Sequence, residues 1–160
     1  MSTVAYATNG VVRYATAEER AQEQLDAAAS LAGQRARDEA RVDRERDRRL
    51  RGSFAFPVRG TAHRFQVDAT SFQRIAGAAS RAGFAIQRGA KPGDFGWFPN
   101  VPTFAWITLD NAVVPLDAFE MFALGEAAAL NEQAHVFAAR ALKAMSPVPE
   151  DYAADKWWPA

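Results

Sequence analysis

The chain has 160 residues, enough for one compact domain with an extension and too few for two. Apolar residues make up 49%, so a core can form, while 19 basic residues balance 19 acidic ones and remove any general attraction to nucleic acid or a membrane surface. There is no cysteine, which excludes disulfides and thiolate chemistry. Residues 1–13 lack the apolar stretch of a signal peptide. No run approaches the roughly 18 apolar residues of a membrane span, because the richest one, Phe119 to Leu130, is broken by Glu120, Gly125 and Glu126. A soluble chain without an export signal is expected.

Residues 1–16 alternate small and β-favouring side chains about Asn9-Gly10, which predicts an extended arm or a hairpin. Thr16 and Glu19 then form a capping box for a long charged helix over 17–51, which has no proline and a single glycine, Gly33. At 1.5 Å per residue it spans roughly 50 Å. From Arg35 to Arg51 it holds eight arginines and five acids, many at the spacing of ion pairs along one helix. Ala21, Leu25, Ala28 and Ala32 follow the 4-3-4 spacing of a coiled-coil seam; beyond them the seam meets charge, with Val42 the one large apolar residue left on it.

A compact α+β domain over 53–145 follows. Phe54, Phe56 and Val58, then Phe65 and Val67, alternate on either side of Arg59-Gly60-Thr61 and predict a hairpin. Asp68 caps a helix through about Ala82, with Gly83 as its stop. Phe84 to Thr103 reads as a long loop rich in glycine and proline. Phe104 to Leu109 and Ala112 to Leu116 make a second hairpin about Asp110-Asn111, and Asp117 with Glu120 caps a final helix to about Met145. A tail with Trp157 and Trp158 occupies 146–160. The fold class is therefore α+β, a long N-terminal helix followed by hairpin, helix, hairpin, helix, an order that hints at a duplicated β-β-α unit. Alternation and helical spacing put Phe54, Phe56, Phe65, Phe72, Ile75, Trp106, Ile107, Phe122, Val136 and Leu142 in the core.

Chemistry has little to work with. His63 and His135 are far apart and lack H-E-x-x-H or cysteine partners, so no metal is expected. Ser71, Ser80 and Ser146 stand in no G-x-S-x-G elbow. Asp117 and Glu120 are explained as caps, so no acid–base pair remains. The stretch from Arg88 to Gly93 lacks phosphate-loop spacing, and Asp94-Phe95-Gly96 matches a kinase tripeptide without the other kinase motifs. No catalytic residue, metal or cofactor is expected, and the chain does not read as an enzyme. Among Arg44, Arg46, Arg48, Arg49 and Arg51, Glu45 and Asp47 interleave and weaken the field that phosphate binding uses.

The order of short motifs resembles a phage and prophage domain family of unknown function, found near tail-fibre genes and often labelled tail fibre assembly or minor tail protein. The motifs are Arg48-Arg49-Leu50, Phe65-Gln66-Val67-Asp68, Ile75-Ala76-Gly77-Ala78-Ala79, Trp106-Ile107-Thr108-Leu109-Asp110, Leu116-Asp117 and Trp158-Pro159, over about 44–160. The resemblance implies a virion tail component, or a tail-fibre assembly protein in the host cytoplasm. It implies contacts with other phage tail proteins and supplies no catalytic residue; the seam on the long helix suits either attachment to such a protein or self-association, as a trimer. The candidate contact residues are Leu25, Ala28, Ala32 and Val42 on the long helix, with Trp97, Phe98, Trp157 and Trp158 beside prolines, although these four aromatics read equally well as packing on the domain's own sheet. A nucleic-acid-binding module using the arginine-rich helix is the alternative.

Overall fold

A computed structural model describes residues 5–8 and 11–159, with side chains from residue 14 onward. The chain divides into two compact units, 1–41 and 42–160.

In the first unit, β1 (Ala5–Thr8) pairs antiparallel with β2 (Val11–Tyr14), Ala5 opposite Tyr14 and Thr8 opposite Val11. The expected Asn9-Gly10 turn lies outside the described residues. Helix α1 (Ala17–Leu50) starts at the expected capping box: the Thr16 hydroxyl accepts from the Glu19 amide, and the Glu19 carboxylate accepts from the Thr16 amide. Ladders of side chains three and four apart, such as Gln22 to Asp26 and Arg35 to Glu39, support its exposed length.

The last turns of α1, from Val42, belong to the second unit. β3 (Ser53–Val58) and β4 (Thr61–Gln66) form a hairpin closed by Arg59 (φ 49°) and Gly60 (φ 81°). A two-residue turn with both φ values positive matches the twist of the strands it joins. Phe54 and Phe65 are cross-strand partners with ring centroids 6.3 Å apart. Asp68 caps α2 (Ala69–Gln87) by accepting from the Thr70 and Ser71 amides. The helix does not stop at Gly83. That glycine faces α3 (Ala118–Ala144), where a Cβ would lie 3.4 Å from the Phe122 ring, so its small size serves helix packing. The chain leaves the helix one turn later, at Gly89 (φ 94°), and the expected loop is shortened to 88–104.

β5 (Ala105–Ile107) and β6 (Val113–Pro115) make the third hairpin, with Asn111 (φ 64°) in its turn. The Leu109 amide donates to the Arg64 carbonyl at 2.8 Å and joins this hairpin to the second. The order β3-β4-α2, β5-β6-α3, each helix capped by an aspartate, keeps the duplicated pattern expected from sequence.

The main core joins Phe54, Phe65, Ile75, Ala82, Leu116, Met121 and Leu124. Of the expected core residues, Ile107, Phe122 and Val136 are instead exposed (61%, 39% and 43%). Ile107 points off the free face of a two-stranded ribbon. Helix α3 is apolar around much of its circumference near Phe119 to Leu130, so spacing alone does not mark its inner side. Its buried positions are Ala118, Met121, Leu124, Ala128, His135, Ala139 and Leu142.

A second cluster extends the compact unit past the expected limits of 53–145 at both ends. Val42, Ala139, Leu142 and Trp158 are buried together, with Val148, Tyr152 and Trp157 packed against them. The residues after Pro147 therefore belong to the domain's own packing, closed by a single 3₁₀ turn at Asp155–Trp157.

Candidate interaction surface

Asp117 shows how the loop 88–104 is held. One oxygen of its carboxylate accepts from the Glu120 amide at 2.8 Å; the other accepts from the Gly93 amide at 2.7 Å. The side chain thus starts α3 and ties down the loop in one place. A carboxylate of the chain's own already fills the one anion position the loop's glycines offer here, which disfavours phosphate in that position. Asp94 accepts from the Gly96 amide and shapes a turn.

Trp97 is buried, its indole donating to the Leu116 carbonyl at 2.9 Å. Phe98 and Phe104 stack with centroids 5.4 Å apart, and Trp97 lies 4.6 Å from Phe104. These aromatics are the inner lining of the loop. Trp158 is buried too, with its indole on the Tyr152 carbonyl, Arg49 over its face at 5.2 Å and His135 stacked beside it. Trp157 is half-buried and donates to Asp151. Val42 is fully buried. Val42, Trp97 and Trp158 are therefore not open contact surface: the domain uses them itself, and Phe98 and Trp157 are partly covered in the same way. His135 is a satisfied core residue, its Nδ1 on the Asn131 carbonyl, and half-buried His63 packs edge-on to Phe65.

Leu25, Ala28 and Ala32 remain. All three are exposed, as is every residue from Arg20 to Ala32, with Leu25 at 65% and Leu31 at 73%. Of the candidate contact residues these three are the ones left open to solvent.

The arginine-rich end of α1 carries its own counter-charges. Glu45, almost buried, accepts from both Arg48 and Arg49; Arg46 pairs with Asp43 and Asp47, and Lys143 reaches Asp43 at 2.7 Å. The hydrogen bond from Arg48, with that from Arg49, outweighs the opposing effect of burial and leaves the Glu45 carboxyl below its ordinary value. Arg49 also bridges to Asp155 and the Ala153 carbonyl, so it is a structural clamp on the C-terminal segment.

A basic face elsewhere went unnoticed in the sequence. Arg74, Arg81 and Arg88 recur every seven residues, which puts Arg74 and Arg81 on one exposed side of α2 and Arg88 at its C-cap on the same line, and the helix holds no acid. Beside them a groove of about 650 Å³ is lined by Gly77, Ser80, Phe84, Trp97 and Pro99. The spacing of seven is the signal the sequence carries for it, sparse beside the denser arginines of α1. A second groove, about 440 Å³, lies among Leu50, Arg51, Val67, Phe72 and Ala128, with Asp47 and Glu132 on its rim. Its rim carries both signs of charge and favours no ligand class. No set of three metal-ligating side chains is found among the described residues, and no described helix is long and apolar enough to cross a membrane.

Comparison with functionally described proteins and with solved structures brings no match. A family model, that of a domain of unknown function (DUF4376), matches residues 33–156, which takes in the arginine-rich end of α1 and nearly all of the second unit. The chain belongs to this family.

Proposed function

We propose that the chain is a bacteriophage tail-region protein, either a structural component or a factor in tail-fibre assembly, acting through protein–protein contacts rather than catalysis. The observation that carries this reading is the first half of α1, where thirteen consecutive residues, Arg20 to Ala32, are exposed and include Leu25 and Leu31. A solitary helix in water gains most of its stability from packing, so a stretch of this kind is built to be covered. The motif order that resembles proteins encoded near tail-fibre genes supports the same reading and directs it to the tail. The alternative, nucleic-acid binding through the arginine-rich part of α1, is disfavoured because most of those arginines are spent on neighbouring carboxylates.

The test is affinity purification of the tagged full-length chain from phage-producing cells, read by quantitative mass spectrometry. Tail or tail-fibre proteins should co-purify with the wild type and be depleted in Leu25→Glu. Enrichment of nucleic acid instead, lost at high salt, would favour the alternative.

A further inference from the structure

The exposed face of α2 has three arginines and no acid. None of Arg74, Arg81 and Arg88 forms an ion pair with any described residue, and Arg81 rests over the Phe98 ring at 5.4 Å. In α1, by contrast, Arg35, Arg41, Arg46, Arg48 and Arg49 each have a carboxylate at hand. Gly77 lies on the same face, and a Cβ built on it would meet nothing within 4 Å. Glycine inside a helix costs about 1 kcal/mol relative to alanine. Gly83 and Gly125 offset that cost by letting α2 and α3 approach. Gly77 has no such partner among the described residues; it leaves a smooth place where another backbone can come close, next to the 59%-exposed Phe84.

The complement is on α1. Residues 17–34 hold Glu18, Glu19, Glu23 and Asp26 against Arg20 alone. Glu19, Glu23 and Asp26 follow helical i, i+4, i+7 spacing and form one acidic stripe on the side of the helix away from the Leu25 seam. Glu19 and Asp26 are seven residues apart, as are successive arginines of α2, about 10 Å along either helix. The complementarity is one of charge: an acidic stripe meets a basic stripe whose neighbouring glycine leaves room for a second backbone. We infer that the basic face of α2 receives the acidic first half of α1 from a second copy of this chain.

The contact joins two different surfaces, so copies associate head to tail and close into a ring or a reciprocal dimer. It goes beyond the proposed tail role and does not depend on it.

Charge reversal tests it on the full-length protein, with mass measured by sedimentation or light scattering at low salt. The wild type should self-associate. Arg81→Glu with Arg88→Glu should weaken association at least about tenfold, since like charges then face each other; so should Glu23→Arg with Asp26→Arg. Mixing the two double variants should restore association, because each then presents the charge its partner lacks. Gly77→Leu, which changes no charge, should also weaken it by filling the point of approach. All these positions are exposed, and circular dichroism verifies that each variant keeps its helices. A wild type that stays monomeric, or an oligomer indifferent to both reversals, overturns the inference. So does an oligonucleotide that binds the wild type and is lost only in the Arg81, Arg88 variant, which would give the face to nucleic acid.

Discussion

Gly125 on α3 stands so close to Ala79 on α2 that a Cβ at position 125 would lie 2.3 Å from the Ala79 Cβ. No pair of real side chains tolerates that distance, so glycine here sets how near the two helices come, and the main core is built around their crossing. Gly125→Ala therefore forces the helices apart, at about 1–3 kcal/mol for overpacking. That exceeds the roughly 1 kcal/mol alanine gains from helix propensity. The melting temperature should fall; a rise would mean the crossing is not tight.

Asp117 caps α3 and holds Gly93. Asp117→Ala removes both contacts and should cost about 1–3 kcal/mol, the loss of a cap plus the loop amide of Gly93 left without its partner. Asp117→Asn keeps an oxygen for one amide but turns an NH₂ group toward the other. Chemical denaturation should rank the stabilities wild type, then Asn, then Ala.

Trp158 fills the second cluster with Val42 and Leu142. Trp158→Ala should destabilise the fold by about 3–5 kcal/mol, as large aromatic truncations in cores do. A truncated tryptophan that left stability unchanged, and only weakened binding to a partner, would restore the reading of this residue as contact surface.

Glu45 gives a pH dependence with a defined sign. Its carboxyl is held below the ordinary value, first by the hydrogen bond from Arg48. A group depressed on folding stabilises the folded state above its unfolded pKa of about 4.3, and that contribution is lost as pH falls through the lower, folded value. Glu45→Gln should be less stable than the wild type at pH 7, and the gap should narrow below about pH 4. A gap independent of pH would contradict the ion-pair role.

Local chemistry was legible in the sequence wherever one residue decides one feature. Thr16 with Glu19, Asp68, and Asp117 with Glu120 cap the helices they were expected to cap, and Arg59-Gly60 and Asp110-Asn111 make the turns. What stayed hidden depends on partners distant in sequence. Gly83 has the form of a helix stop, and only the approach of Phe122 makes it a packing glycine. Trp97 and Trp158 beside prolines have the form of contact residues; the Leu116 carbonyl that satisfies Trp97, and the Val42 and Leu142 side chains that cover Trp158, lie in other segments of the fold. Leu25, Ala28 and Ala32 kept the exposure their spacing suggested, because heptad spacing next to charge is a property of the helix alone. The arginines of α2 are sparse in sequence and become a face only once the helix is drawn.

The central claim, that another protein chain covers the first half of α1, is tested most directly by amide hydrogen exchange over residues 18–34. The protein should be isolated from phage-producing cells with its bound partners and compared with Leu25→Glu prepared in the same way. A covered helix should exchange at least about a hundredfold more slowly in the wild type than in the variant, since local opening of an uncovered helix costs little free energy. Equal, fast exchange in both would mean that this helix is a solvated extension, and would contradict the account.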